Sequence, residues 1–329
     1  MLEGHGDDGY NYRGKVKMNF SSNIFSHIDL SGLKRHLSEH LDLIDHYPEP
    51  EPHALERMIA ERAGIEAGNV LVTNGATEAI YLIARLFGRD RQCVCTPTFA
   101  EYEAAISAAA ELPASERMIH WICNPNNPTG AVLPLEEWRR RLGANASDIY
   151  VVDQSYAAYT LQPTLPPSVV NRCRRCLLVY SMTKRYGIPG LRLGYVVAAK
   201  RTIGRLRKYK PTWSVNALAI EAGKYLLKHD IPNFPDMHRY LAETQRLRAG
   251  LNRIEGVAAL QTETNFMLVR LPRGTAAALK TYLIDRHGIL VRDASNFKGL
   301  NERYIRVAAQ LPEENDALVE AVKTYMSCR

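Results

Sequence analysis

Lys184 stands in the run SMTKRYGIPGLRLGY, Ser181 to Tyr195, four residues past the apolar run CLLVY. A lysine amine held in a partly apolar pocket gives up its proton more readily and becomes a nucleophile. An isolated lysine is a solvated charge. Ser181 and Thr183 add hydroxyls, and Arg192 can grip a phosphate through two parallel N–H bonds. Three other stretches carry complementary chemistry. In VVDQSYAAY, Val151 to Tyr159, Asp153 ends an apolar strand and Tyr156 follows three residues later. A carboxylate there needs a cationic partner, unless it merely caps a helix. In CNPNNPTG, Cys123 to Gly130, three asparagines, two prolines and a glycine make a constrained turn in which an X-Pro bond can be cis. In TNGATEA, Thr73 to Ala79, a strand passes through Gly75 into a helix whose first N–H groups can hold a phosphate. The plain alternative is a strand–helix turn.

Each stretch is ambiguous alone. Together they provide a lysine for a Schiff base, an acid for a pyridinium nitrogen, a phenol and an anion cradle, the parts that pyridoxal phosphate requires. Neither a Walker lysine motif nor G-x-G-x-x-G is present, so nucleotide fingerprints are absent.

These loops need a scaffold. Helical and strand patterns alternate from HALERMIAERAG at His53, through NVLVT, ATEAIYLIARLF, QCVCT, FAEYEAAISAAA, MIHWIC, LEEWRRRL and DIYVVD, to CLLVY and GYVVAA. Ile80, Ile83, Ala84 and Phe87 share one helix face. The alternation predicts an α/β fold, a mostly parallel central sheet with helices on both faces. Ligands bind such sheets at the carboxyl ends of the strands, where all four loops lie. After about Ile231 come a long helix, the strand NFMLVRL, a helix, the strands ILVRD and RYIRVA, and a last helix from about Glu313. This predicts a smaller α+β unit, with HDIPNFP as the hinge.

The order of TNGATEAI, NPNNPTG, DQSYAAY, SMTK and GLRLGY resembles the fold-type I pyridoxal-phosphate enzymes of the class I/II aminotransferase superfamily. Within it the chain is similar to the histidinol-phosphate aminotransferase-like branch. HGDDGY, NFSSNIF, FAEY, WSVNALA and ILVRDASNFKGLNERYIRVA narrow the resemblance to the L-threonine-O-3-phosphate decarboxylases. The resemblance implies a large cofactor domain over 46–232 and a small domain over 1–45 and 233–329. It implies pyridoxal 5'-phosphate bound covalently by Lys184. Asp153 would face the pyridinium nitrogen, and Asn127 and Tyr156 the ring's phenolic oxygen. Phe99 would stack on the ring, and Ala76, Thr77, Ser181 and Arg192 would hold the phosphate. Tyr47 would reach the neighbouring subunit's cofactor in a homodimer. Arg306 and Asn23 would bind the substrate carboxylate, with Arg292 and His5 for the substrate's phosphate. The implied reaction is decarboxylation of threonine phosphate in cobalamin biosynthesis, with amino transfer to 2-oxoglutarate as the alternative. Two departures stand out. SSNIFSH lacks the proline common after the early asparagine. The interval from FAEY to NPNNPTG is short, which predicts a missing strand or a reorganised sheet edge.

The totals fit. The 42 basic and 35 acidic residues leave a net charge of +7, favouring an anionic partner such as a small phosphorylated amino acid. The densest basic run, Lys200 to Lys210, reads as a solvated helix face. A nucleic-acid-binding module on this fold is the remote alternative, and no zinc-finger or aromatic RNA-binding signature supports it. The six cysteines are dispersed, and the single C-x-x-C at Cys173 and Cys176 reads as reduced thiols rather than a metal site. No metal is expected. No apolar leader or spanning segment is evident, so a cytoplasmic enzyme without membrane contact is expected.

Overall fold

The computed structural model describes residues 8–109 and 116–327. Six apolar runs form one sheet in the order Val70–Thr73, Gly194–Ala198, Cys176–Ser181, Ile149–Asp153, Met118–Cys123 and Arg91–Val94. The last four run parallel, and Gly194–Ala198 is antiparallel to both its neighbours. Successive side chains of these strands point to opposite faces, and both faces are buried. Val151, Leu177, Val179 and Val196 face one core with Ile80, Ile83 and Phe87, which share a face of the helix Gly75–Leu86 and its cap. Val152, Leu178 and Val197 face the other, with Leu55, Ile59 and Ile220. Period-two alternation with both faces covered accounts for the near-continuous apolar character of the runs.

At the short interval, no strand lies among the described residues between Val94 and Met118, so Arg91–Val94 forms the edge directly beside Met118–Cys123.

A second, antiparallel sheet runs Arg292–Asp293, Tyr304–Ala308, Phe266–Arg270, Ala258–Ala259. It is covered by the helices Met237–Asn252, Ala276–His287 and Pro312–Ser327, whose apolar faces continue the first core. The ILVRD strand breaks at Val291. Its first half, Ile289–Leu290, pairs in parallel with Met18–Asn19, and its second half joins the antiparallel sheet. The N-terminal segment is thereby stitched to the C-terminal unit, with Phe20 accepting a hydrogen bond from Ala308 N at 2.9 Å.

Among the described residues, two helices longer than five residues occur where the pattern gave none, Ser31–Glu39 and Ala217–Lys228. The second starts at Asn216, whose side chain accepts from Ala219 N. The basic run is only partly a solvated face. The helix Lys200–Arg207 buries Ile203 and Leu206. Arg207 bridges Glu51 and Glu56, and the Lys210 amine is buried 3.7 Å from Glu51. Among the described residues no helix is long and apolar enough to cross a membrane.

Candidate active site

The carboxyl ends of the parallel strands open into a cavity of about 400 Å³. It is lined by Ala76, Thr77, Phe99, Asn127, Asp153, Tyr156, Ser181, Lys184, Arg192, Arg292 and Arg306, eleven of the fourteen residues named from the sequence. Asn23 is fully buried between two lining residues, Ser22 and Ile24. Tyr47 lies outside, 85% exposed, with its ring 5.3 Å from that of Trp213. His5 is outside the described residues.

Asp153 is the last residue of its strand, so its side chain emerges at the sheet end while its backbone stays in the ladder. Its carboxylate accepts from the Tyr102 hydroxyl at 2.7 Å and from Ser155 N at 2.8 Å. Burial pushes its pKa up, against those hydrogen bonds and the charge of Lys184. A buried acid in this balance is suited to a cationic partner. Tyr102 was not named from the sequence. It sits three residues after Phe99 in the run FAEY, with the two rings 5.8 Å apart and edge to face, and that spacing is the signal that could have found it.

Lys184 belongs to the five-residue helix Met182–Tyr186, which follows the strand Cys176–Ser181 without a break. Its amine donates to Ser22 O at 2.9 Å and stands 6.0 Å from the centre of the Tyr156 ring. Its carbonyl accepts from the Tyr159 hydroxyl at 3.0 Å, which pins the helix to the loop after Asp153. Burial pushes the Tyr156 hydroxyl up to about 12, with Arg306 opposing, so it is a neutral donor at pH 7. The buried Asn23 amide faces that hydroxyl without a full hydrogen bond, and the Thr183 hydroxyl lines the cavity without a partner.

The helix Gly75–Leu86 points its N-terminus at the cavity, and its N-cap Asn74 makes no side-chain cap. Gly75 has φ +75°, and a Cβ there would meet the Arg192 guanidinium at 2.8 Å. Gly194, paired across to Thr73 and Ser181, lies so close that a Cβ would meet Ala76 N at 2.7 Å. Helix N–H groups, Ser181 and Arg192 thus converge on one spot suited to a phosphate. Two prolines of the CNPNNPTG loop follow cis bonds, Asn124–Pro125 and Asn127–Pro128. Asn127 Oδ1 accepts from Arg306 Nη1 at 2.5 Å.

Arg292 and Arg306 come from the C-terminal unit. They are direct partners across antiparallel strands and are both buried. Arg306 also donates to Ser21 O, while Arg292 donates to Asn296 Oδ1 at 2.9 Å and lies over the Phe297 ring. Burial lowers the pKa of Arg292, with Asp293 opposing.

The buried acid, the Thr183 hydroxyl, the anion cradle and the cavity-facing amine all fit pyridoxal phosphate. The sequence matches the aminotransferase class I and II family over residues 15–111 and 105–322. A threonine-phosphate decarboxylase of Salmonella typhimurium is 28% identical, over 94% of this chain and 91% of its own. A histidinol-phosphate aminotransferase of a Thermoanaerobacter species is 29% identical, over 85% and 84%. The crystal structure of L-threonine-O-3-phosphate decarboxylase from Porphyromonas gingivalis is similar with a TM-score of 0.89 at 38% identity, covering 94% of this chain and 99% of that one. Sheet, cavity and family match agree along nearly the whole length, so the chain belongs to the class I and II aminotransferases, a family of pyridoxal-phosphate-dependent enzymes.

Proposed function

We propose that the chain decarboxylates L-threonine O-3-phosphate to (R)-1-aminopropan-2-yl phosphate, as a step of cobalamin biosynthesis. The observation that carries the reading is the pair Arg292 and Arg306, placed opposite one another on adjacent strands at the cavity wall. Like charges directly opposite on one sheet face are destabilising. An occupant with two anionic groups offsets that repulsion, and a phosphorylated amino acid has both. Arg306 would hold the carboxylate, helped by Asn23, and Arg292 the substrate's phosphate.

Lys184 would bind the cofactor covalently, and Asp153, Asn127, Tyr156 and Phe99 would orient its ring. Ala76, Thr77, Ser181 and Arg192 would take its phosphate. Bound pyridoxal phosphate supplies an electron sink for the pair released at the substrate's α-carbon. The residues decide which pair is released. Arg306 and Arg292 fix two ends of the substrate, so they set which bond of the α-carbon is presented for cleavage. Asp153 stays ionised when it faces a pyridinium N–H. Tyr156 keeps its proton and donates to an oxyanion. Lys184 is the one lysine among the described lining residues, and its amine can return a proton to the α-carbon.

Amino transfer to 2-oxoglutarate is the second reading, favoured by the similarity to histidinol-phosphate aminotransferases. Both are tested by incubating the holoenzyme with threonine phosphate, and separately with histidinol phosphate plus 2-oxoglutarate. Carbon dioxide from the first mixture is expected. Glutamate from the second, with no carbon dioxide from the first, would overturn the proposal.

The active enzyme is further proposed to be a homodimer. Leu41, Ile44, Tyr47 and Trp213 are exposed on the segment from Leu41 to Tyr47 and beside it, a grouping typical of an interaction surface.

A further inference from the structure

Away from the cavity, the helices Ser31–Glu39 and Ala217–Lys228 pack against each other. Gly32 permits the approach, because a Cβ there would meet the Tyr225 hydroxyl at 2.7 Å. The shared face carries His36 and His40, one turn apart, and Glu221 from the opposite helix. One ligand atom of each lies within 4.8 Å of those of the other two, the sole such trio found among the described residues.

The details suit a cation better than a simple hydrogen-bonded cluster. His36 Nε2 is 2.9 Å from Glu221 Oε1. His40 Nδ1 is 2.8 Å from the His36 carbonyl oxygen, which can only accept. In the neutral ring Nδ1 therefore carries the proton, which leaves the lone pair on Nε2. A backbone carbonyl fixing one ring nitrogen is how metal-binding imidazoles are oriented. The His36 and His40 rings lie 4.2 Å apart, and Tyr225 covers His36 at 4.8 Å. Side-chain exposures of 23% for His36 and 19% for Glu221 leave a path for an ion while limiting bulk solvent. Lys224 lies 3.6 Å from the other Glu221 oxygen.

We infer that His36, His40 and Glu221 form a zinc(II)-class metal site that ties the N-terminal helix to the helix Ala217–Lys228. Two imidazoles and a carboxylate form a set zinc accepts, with solvent completing a tetrahedral shell. Binding places the cation where His36 and Glu221 now meet, releasing any proton they share. The N-terminal helix follows the loop of Ser22 and Asn23, so the site would brace one wall of the cavity from outside.

The test is calorimetric titration of chelator-treated holoenzyme with zinc(II) alone, beside His40→Gln and Glu221→Gln. The expected result is one zinc per chain at about 10 μM or below, weakened at least about ten-fold in each variant. Zinc should also raise the Tm of the parent protein more than that of either variant. Unchanged absorbance of the bound cofactor identifies folded variants, and His36→Gln is the replacement if one fails that check. Equal zinc affinity in parent and folded variants would overturn the inference, as would no binding to the parent at that concentration. Neither outcome depends on which reaction the cavity performs.

Discussion

Asp153 concentrates the electrostatics of the site in one carboxyl. Burial raises its pKa in the folded protein above the ordinary carboxylate value. For a raised acid, the stabilising contribution is complete below the unfolded-state pKa and is lost as pH rises through the folded value. Above the unfolded-state pKa, Asp153 therefore makes the cofactor-free protein less stable than it is in acid, and a pyridinium partner would offset that cost. Asp153→Asn should raise the Tm of the cofactor-free protein at pH 7 while lowering turnover of the holoenzyme by about 100-fold or more. Thermal melts and initial rates check both parts. A variant less stable than the parent without cofactor at pH 7 would contradict this reading. Position relative to an apolar run made Asp153 and Lys184 legible in the sequence, because strand ends are where a parallel sheet exposes its chemistry. Tyr102, which bonds Asp153, was missed although its spacing from Phe99 was there to read, and Ser22, which accepts from Lys184, was not legible. The Ser22 contact with Lys184 spans most of the intervening fold, and no local spacing encodes it.

At the scale of elements, the proposed phosphate cradle depends on how closely the strand Gly194–Ala198 approaches the turn at Gly75. A Cβ at Gly194 would press on Gly75 C at 2.7 Å and on Tyr180 O at 2.8 Å, all backbone that cannot swing away. Gly194→Ala should destabilise the protein by about 1–3 kcal/mol and weaken pyridoxal phosphate binding together, read by denaturant melts and cofactor titration. Full cofactor affinity in a folded Gly194→Ala protein would show that the approach is not needed. The elements themselves were readable where periodicity is strong, as for Met118–Cys123 and the helix Gly75–Leu86. Pattern failed where the partner lies far along the chain. The break at Val291 exists because Ile289–Leu290 pairs with Met18–Asn19, and Arg292–Asp293 with Tyr304–Ala308. Likewise, Arg207 and Lys210 read as solvent-facing until Glu51 and Glu56 fold against them.

For the whole molecule, the proposed dimer assigns Tyr47 to its neighbour's cavity, in keeping with its exposure in the single chain. Mixing Tyr47→Ala chains with Lys184→Ala chains should then restore activity above the sum of the two parents, since a hybrid dimer contains one intact site. No gain on mixing, with hybrids verified by mass, would contradict the shared site. The central claim concerns which bond of the α-carbon breaks when a doubly anionic substrate lies between Arg292 and Arg306. The most direct measurement uses threonine phosphate deuterated at the α-carbon. If the carboxylate leaves, the product amine retains that deuterium and carbon dioxide is released in equal amount. Loss of the deuterium to solvent, with glutamate appearing from 2-oxoglutarate and no carbon dioxide, would contradict the account.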